Sequence, residues 1–250
     1  MDISSGYVVR FLLVLLRSSL FFSFLPILGS KTLPALFRIG LAVAFALFLT
    51  PIVNVRAGEN DIPILVFREI VLGMTLGLAV RFVFLGVEIA GQMISDSMGF
   101  SIATIFNPEM GQSTEISRLM TVFATLLFLV TDAHHDLIAI FVRSYDLVPA
   151  GSVDVNALVR EGVALIGRTF VIALKLGAPV VVGIISTNLL LGFVYKATPQ
   201  INIFFISLPL YIGIGFLLLF LAVPAYVVAI GGSFGEIRTE MGRVIGMARR

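Results

Sequence analysis

The 250 residues are 58% hydrophobic and only 13% charged, with a mean hydropathy of +1.07; soluble domains run about 45–50% apolar and about 25% charged, so a water-soluble globular fold is excluded. The absence of Cys removes disulfides and thiolate metal sites. A formal net charge of +2 with no basic block gives nucleic acid nothing to bind.

In chain order, six apolar segments stand out, at about residues 8–28, 33–53, 62–89, 119–142, 163–194 and 203–230. A span needs about 20 residues, so each is read as a helix long enough to cross a bilayer. The first is expected to stay as a helix rather than serve as a cleaved signal: Asp2 replaces a basic leader region, and Arg10 and Arg17 interrupt an apolar stretch too long for one. The fifth, as a helix rising about 1.5 Å per residue, reaches about 48 Å against a hydrocarbon core of about 30 Å. Gly177-Ala178-Pro179 offers it a kink, as Pro209 and Pro224 do in the sixth.

Residues 29–32 join the first two segments as a tight hairpin, and residues 195–202 join the last two. A polar start at Asp154 or Asn156 opens the fifth helix. The longest interruption, residues 91–118, is too polar for lipid, yet its Met93, Met98, Phe100, Ile102, Ile105, Phe106 and Met110 argue against disorder. It reads as a re-entrant or pore-lining segment, since irregular backbone at membrane depth survives only inside protein or beside water. Loop Lys and Arg set orientation. With the C-terminus in the cytoplasm, Arg56, Arg143, Arg160, Arg238, Arg243, Arg249 and Arg250 lie inside, and Lys31, Arg118 and Lys196 outside.

The apolar segments carry charges that lipid would not accept. Arg38, Arg68, Glu69, Arg81, Glu88, Arg168 and Lys175 lie within them, and each Arg, Lys or Asp near a span centre costs roughly 2.5–3.5 kcal/mol. They must pair, face protein or line water, or snorkel near a helix end. Arg81 and Glu88, seven residues apart, share a helical face but are read as too distant to bond within one helix, which assigns their partners to other helices or subunits. Gly73 and Gly77 form a GxxxG that lets a neighbouring backbone approach.

Asp132-Ala133-His134-His135-Asp136 invites a metal-site reading. On a straight helix, however, adjacent His residues point about 100° apart, poorer than the i, i+4 pair of H-E-x-x-H. Asp132 with His135 supplies two ligands where zinc sites use three or four. A polar helix segment at the membrane edge is the plainer reading, so no metal or cofactor is expected. Phosphate-binding, dinucleotide-binding and nucleophile-elbow motifs are missing from the sequence, so neither an intramembrane hydrolase nor any other enzyme is expected.

The phrase Pro199-Gln200-Ile201-Asn202-Ile203-Phe204 resembles the FliR family of flagellar export-gate subunits. So do Gly91-Gln92-Met93, Met98-Gly99-Phe100-Ser101, Asn107-Pro108, Leu126-Leu127-Phe128-Leu129 leading to His134, and Val142-Arg143-Ser144 followed by Val148-Pro149-Ala150-Gly151. Ala133 stands where Gly would be expected before His134, and Asn107-Pro108 where Asp-Pro is common. The resemblance covers nearly the whole chain. It implies an all-α polytopic inner-membrane protein of the flagellar basal body, about six long hydrophobic helices arranged as hairpins within a helical, cone-like gate, much of it above the membrane plane. It implies one domain over residues 1–250, with a first part to residue 142 and a second from 143. Implied partners are the P-type and Q-type membrane subunits, a cytoplasmic export-switch membrane protein facing the C-terminal tail, unfolded flagellar export substrates, and the lipid bilayer. A plug loop at residues 106–120 is implied, centred on Phe106, Asn107, Pro108, Glu109, Met110, Gly111 and Gln112, to close the pore. Assembly contacts are expected at Gly91, Gln92, Met93, Arg81, Glu88, Pro199, Gln200, Asn202 and Phe204. The alternatives are the corresponding subunit of a virulence type III secretion system and, from another class, a secondary transporter with its site at a broken helix such as Gly177-Ala178-Pro179.

Overall fold

The computed structural model describes residues 3–25, 34–53, 62–101, 115–148, 154–198, 200 and 202–248. Among these there is no strand, and seven helices follow one another: α1 (Ile3–Phe24), α2 (Ala35–Leu49), α3 (Ile62–Ser97), α4 (Glu115–Val130), α5 (Ala133–Leu147), α6 (Val155–Ala197) and α7 (Ile203–Ala248). The all-helical expectation holds. Four helices, Gly6–Phe24 of α1, α3, α6 and Phe205–Ala248 of α7, are long and apolar enough to cross a membrane.

Two of the six expected spans differ. The second segment forms only the 15-residue α2, about 22 Å long, because Pro34 precedes it and Pro51 follows its Thr50 C-cap. The fourth is two helices, α4 and α5, bent by 69° at a break and together able to make a fifth span. The break sits at Asp132, whose φ of 55° is left-handed. Asp and Asn are among the few non-glycine residues that tolerate that region, so the polar run that looked like a helix edge is where the helix stops.

The long helices follow from their sequences. Pro63 falls in the first turn of α3, where its missing N–H costs nothing. At the other end Phe100 N–H bonds Ser95 C=O and Gly99 N–H bonds Asp96 C=O, both at 3.1 Å, the Schellman pattern. Gly99 supplies the positive φ, 87°, that this cap requires. Residues 91–97, expected as part of an irregular segment, are therefore helical, with Ala90, Ile94 and Met98 buried on one face. Asp154 caps α6, its Oδ1 accepting from the N–H groups of Asn156 and Ala157 at 3.0 and 3.2 Å. Helix α6 then runs unbroken through Pro179 for 43 residues, and α7 through Pro209 and Pro224 for 46. At 1.5 Å per residue these reach about 65 and about 69 Å, more than twice the hydrocarbon thickness.

The chain divides into two compact units that share these long helices: Met1–Val83 with Leu129–Arg168 and Phe234–Arg250, and Phe84–Phe128 with Thr169–Ser233. In the first, α1 lies against α3 along the GxxxG. A Cβ on Gly73 would stand 3.1 Å from the Arg17 backbone, and one on Gly77 2.9 Å from Phe24 Cβ. Phe21 stacks on Phe141 at 4.3 Å, and Phe22 meets Phe45 of α2 edge-on at 4.8 Å. In the second, Phe84 of α3 meets Phe128 of α4 edge-on at 5.6 Å. In each unit α6 and α7 run antiparallel: Asp154 N–H bonds Ala248 C=O at 3.2 Å in the first, and Tyr211 OH donates to Asn188 Oδ1 in the second.

Candidate functional site

The first unit buries an ion pair that the sequence reading did not assemble. Arg17 sits fourteen residues into α1 and is fully buried. Its Nε and Nη2 donate to Glu69 Oε2 and Oε1 of α3 at 2.5 and 2.7 Å, a two-pronged bond. Its Nη1 donates to Ser144 Oγ at 3.2 Å and its Nη2 also to Val148 C=O at 3.3 Å. Tyr145 lies 4.2 Å beneath the guanidinium and donates its hydroxyl to Val14 C=O at 3.2 Å. One side chain thereby ties together α1, α3 and the end of α5. The signal available in the sequence was an Arg in the first apolar segment and a Glu in the third. Nothing local linked two residues 52 apart.

Elsewhere in the same unit, Arg168 of α6 joins Glu240 of α7 at 2.6 Å and Glu161 of its own helix at 3.4 Å. Glu161 and Arg168 are seven residues apart on one helix, the spacing of Arg81 and Glu88, and their charged groups reach ion-pair distance. Two long side chains leaning toward each other bridge two turns. A cavity of about 410 Å³ beside them is lined by Asp154, Ala157, Arg160, Glu161, Gly246 and Met247.

Of the residues expected to mediate assembly, Gly91, Gln92 and Met93 lie on α3 in the second unit. A Cβ on Gly91 would stand 2.5 Å from Ser117 Cα, and Ser117 Oγ donates to Glu88 C=O at 3.0 Å. That glycine therefore serves packing of α3 on α4 within the chain. Gln92 donates to Asp96 Oδ1 at 3.0 Å. Arg81 and Glu88 are half-buried and neither is without a partner. Gln200 and Asn202 are exposed between α6 and α7, and Phe204 belongs to the first turn of α7. Pro199 lies outside the described residues, as do Phe106, Asn107, Pro108, Glu109, Met110, Gly111 and Gln112. The last six residues of the expected plug loop, 115–120, are the first turns of α4.

What remains outward is apolar. Phe170, Leu174, Leu189, Leu190 and Phe193 of α6 and Phe205, Phe220 and Val228 of α7 are exposed. Among them Lys175 is exposed near the middle of α6. An apolar groove of about 310 Å³ in the second unit is lined by Leu119, Met120 and Phe123 of α4 and by Phe216, Leu219, Phe220, Val223 and Tyr226 of α7. No arrangement of nucleophile and base accompanies these surfaces among the described residues. They fit other helices, lipid and polypeptide.

Comparison with known proteins identifies the family. The family model for bacterial export proteins, family 1, matches residues 8–237. A flagellar biosynthetic protein FliR from Bacillus subtilis is 32% identical over 232 residues, covering 90% of each chain. The FliR proteins of Caulobacter vibrioides and Escherichia coli are 31% identical over 205 residues and 29% over 244, covering 79% and 92% of this chain and 82% and 90% of theirs. The chain belongs to the FliR family of bacterial export proteins.

Proposed function

We propose that the chain is a non-enzymatic pore subunit of the flagellar type III protein export gate, assembling with P-type and Q-type membrane subunits into the channel for unfolded flagellar proteins. Family membership supports an export role in the inner membrane. The observation that carries the pore reading is the pair α6 and α7. Both are far longer than the hydrocarbon core, both expose large apolar side chains, and α6 carries the exposed Lys175 among them. Lipid does not accept that lysine at depth, and water does not favour the apolar face around it. Neighbouring helices in an assembly answer both. In this reading Gln200, Asn202 and Phe204 sit at the tip of the α6–α7 hairpin and contact partners there. Phe106–Gln112 plug the closed channel, flexible Met110 sealing against unlike chains. The C-terminal tail with Arg249 and Arg250 faces the cytoplasm and the export-switch protein.

Co-expression with the two partner subunits, followed by purification in mild detergent, tests this. The partners should co-purify, and the yield of monodisperse protein should rise several-fold over expression of the chain alone. A partner-free monomer that is equally abundant, with partners that migrate separately, would overturn the reading.

A further inference from the structure

We propose that Asp132, His134 and His135 form a binding site for a late first-row divalent cation of the zinc type, at the break between α4 and α5. The two His still sit side by side on α5, yet their rings stand close together, and the break just before them turns Asp132 toward them as a third ligand. The chain has only two His residues, and both follow the 69° break. The left-handed Asp132 brings its carboxylate to them. Asp132 Oδ1 lies 3.3 Å from His135 Nδ1, and the two imidazole rings are 4.1 Å apart, tilted by 40°. One ligand atom from each of the three residues lies within 4.8 Å of the others. Around a tetrahedral zinc with bonds of about 2.0–2.2 Å, ligand atoms stand about 3.3–3.6 Å from one another by the geometry of the tetrahedron. The Asp132–His135 edge already has that length, and the other two, within 4.8 Å, close by side-chain rotation as the ion binds.

Asp132 also forgoes another role. Asp is among the strongest helix N-caps, yet at the N-cap of α5 its side chain makes no capping bond. Its carboxylate is turned to His135 instead. Two imidazoles and one carboxylate suit zinc, copper or nickel rather than magnesium or calcium, which prefer all-oxygen sites. Thr131, Asp132, His135 and Asp136 are all exposed and His134 is half-buried. That polar patch opens to water, which leaves a fourth position for a water molecule or a further ligand, as in open three-ligand zinc sites.

The test uses the full-length chain without a polyhistidine tag, reconstituted in lipid nanodiscs, with zinc as the probe and cobalt(II) as its spectroscopic stand-in. The expected result is one zinc per chain and visible cobalt bands of a four-coordinate site. His134→Ala and His135→Ala should each weaken binding at least about tenfold and Asp132→Asn about tenfold, magnitudes typical for disturbing a metal's shell. Asp146→Asn, an exposed carboxylate at the far end of α5, should leave binding unchanged. Millimolar magnesium should not displace the zinc. Loss of no more than a few-fold in the double variant H134A/H135A, displacement by magnesium, or no saturable binding by the wild-type chain would each overturn the proposal. Equal elution profiles of variant and wild type guard against loss of fold.

Discussion

Removing Arg17 while keeping Glu69 strands a carboxylate that is 1% exposed. The perturbation is a double-mutant cycle of Arg17→Met, Glu69→Leu and both together. Arg17 holds Glu69 through two bonds of 2.5 and 2.7 Å and spends its remaining donors on Ser144 and Val148. Breaking a buried pair by deleting one partner costs about 3–5 kcal/mol. For a chain of this size 1 kcal/mol moves Tm by about 2–4 °C, so Arg17→Met should lower the unfolding midpoint by about 6–20 °C. Glu69→Leu should sit at the low end, because the stranded guanidinium keeps Ser144, the Val148 carbonyl and the Tyr145 ring. The double variant removes both charges and fills the space with apolar atoms, which is often neutral or stabilising. It should recover at least about 2 kcal/mol relative to the summed singles, within the range of coupling energies for contacting residues. The assay is thermal loss of helical circular dichroism in detergent micelles, chosen because the chain has no Trp to report by fluorescence. A double variant as destabilised as the two singles added together would refute the reasoning.

Three further outcomes are expected. Gly91→Val should lower the same midpoint by the equivalent of about 1–3 kcal/mol, because its Cβ would meet Ser117 Cα, which is backbone, at 2.5 Å; an unchanged midpoint would refute the close approach of α3 and α4. Tyr226→Phe should be neutral or stabilising by up to about 1 kcal/mol, since the buried Tyr226 hydroxyl has no hydrogen-bond partner among the described residues and burying an unpaired hydroxyl is costly; a destabilisation beyond that range would mean a bond exists. Deleting residues 107–112 should leave the gate assembled but leaky to ions or small solutes in a vesicle flux assay, and normal impermeability of the assembled deletion variant would sink the plug.

Hydropathy made the helices legible because membrane helices must satisfy their own backbone and either bury their apolar side chains or turn them to lipid. It also made visible that charges such as Glu69 and Arg168 needed partners. Which partners was not legible: Arg17 and Glu69 meet only because Gly73 and Gly77 admit the α1 backbone so closely, and that is a property of two helices together. The break at Asp132 was hidden for the opposite reason. Apolar residues on both sides carried the segment through as one span, and the polar run inside it was read as a helix segment at the membrane edge rather than a helix end. The α2 boundary was more accessible, since Pro34 and Pro51 frame it in the sequence. At the candidate contact surfaces the sequence marked Gln200 and Asn202, which are exposed, and Gly91, whose open face is filled by Ser117. A small residue signals a close approach without saying whether the other side is the same chain.

The charges within apolar helices fall into two groups with different consequences. Arg17 with Glu69, and Arg168 with Glu161 and Glu240, are answered inside the chain, so substituting them acts on folding. Lys175 is different. It stands exposed beside exposed Phe170, Val171 and Leu174 on a helix more than twice the hydrocarbon thickness, where a lysine facing lipid near a span centre costs roughly 2.5–3.5 kcal/mol. A chain that pairs Arg17 and Arg168 internally and leaves Lys175 outward among exposed apolar side chains presents a face that neighbours can complete. In the proposed gate, Lys175 is then an energetic handle for assembly rather than for the fold of the chain itself.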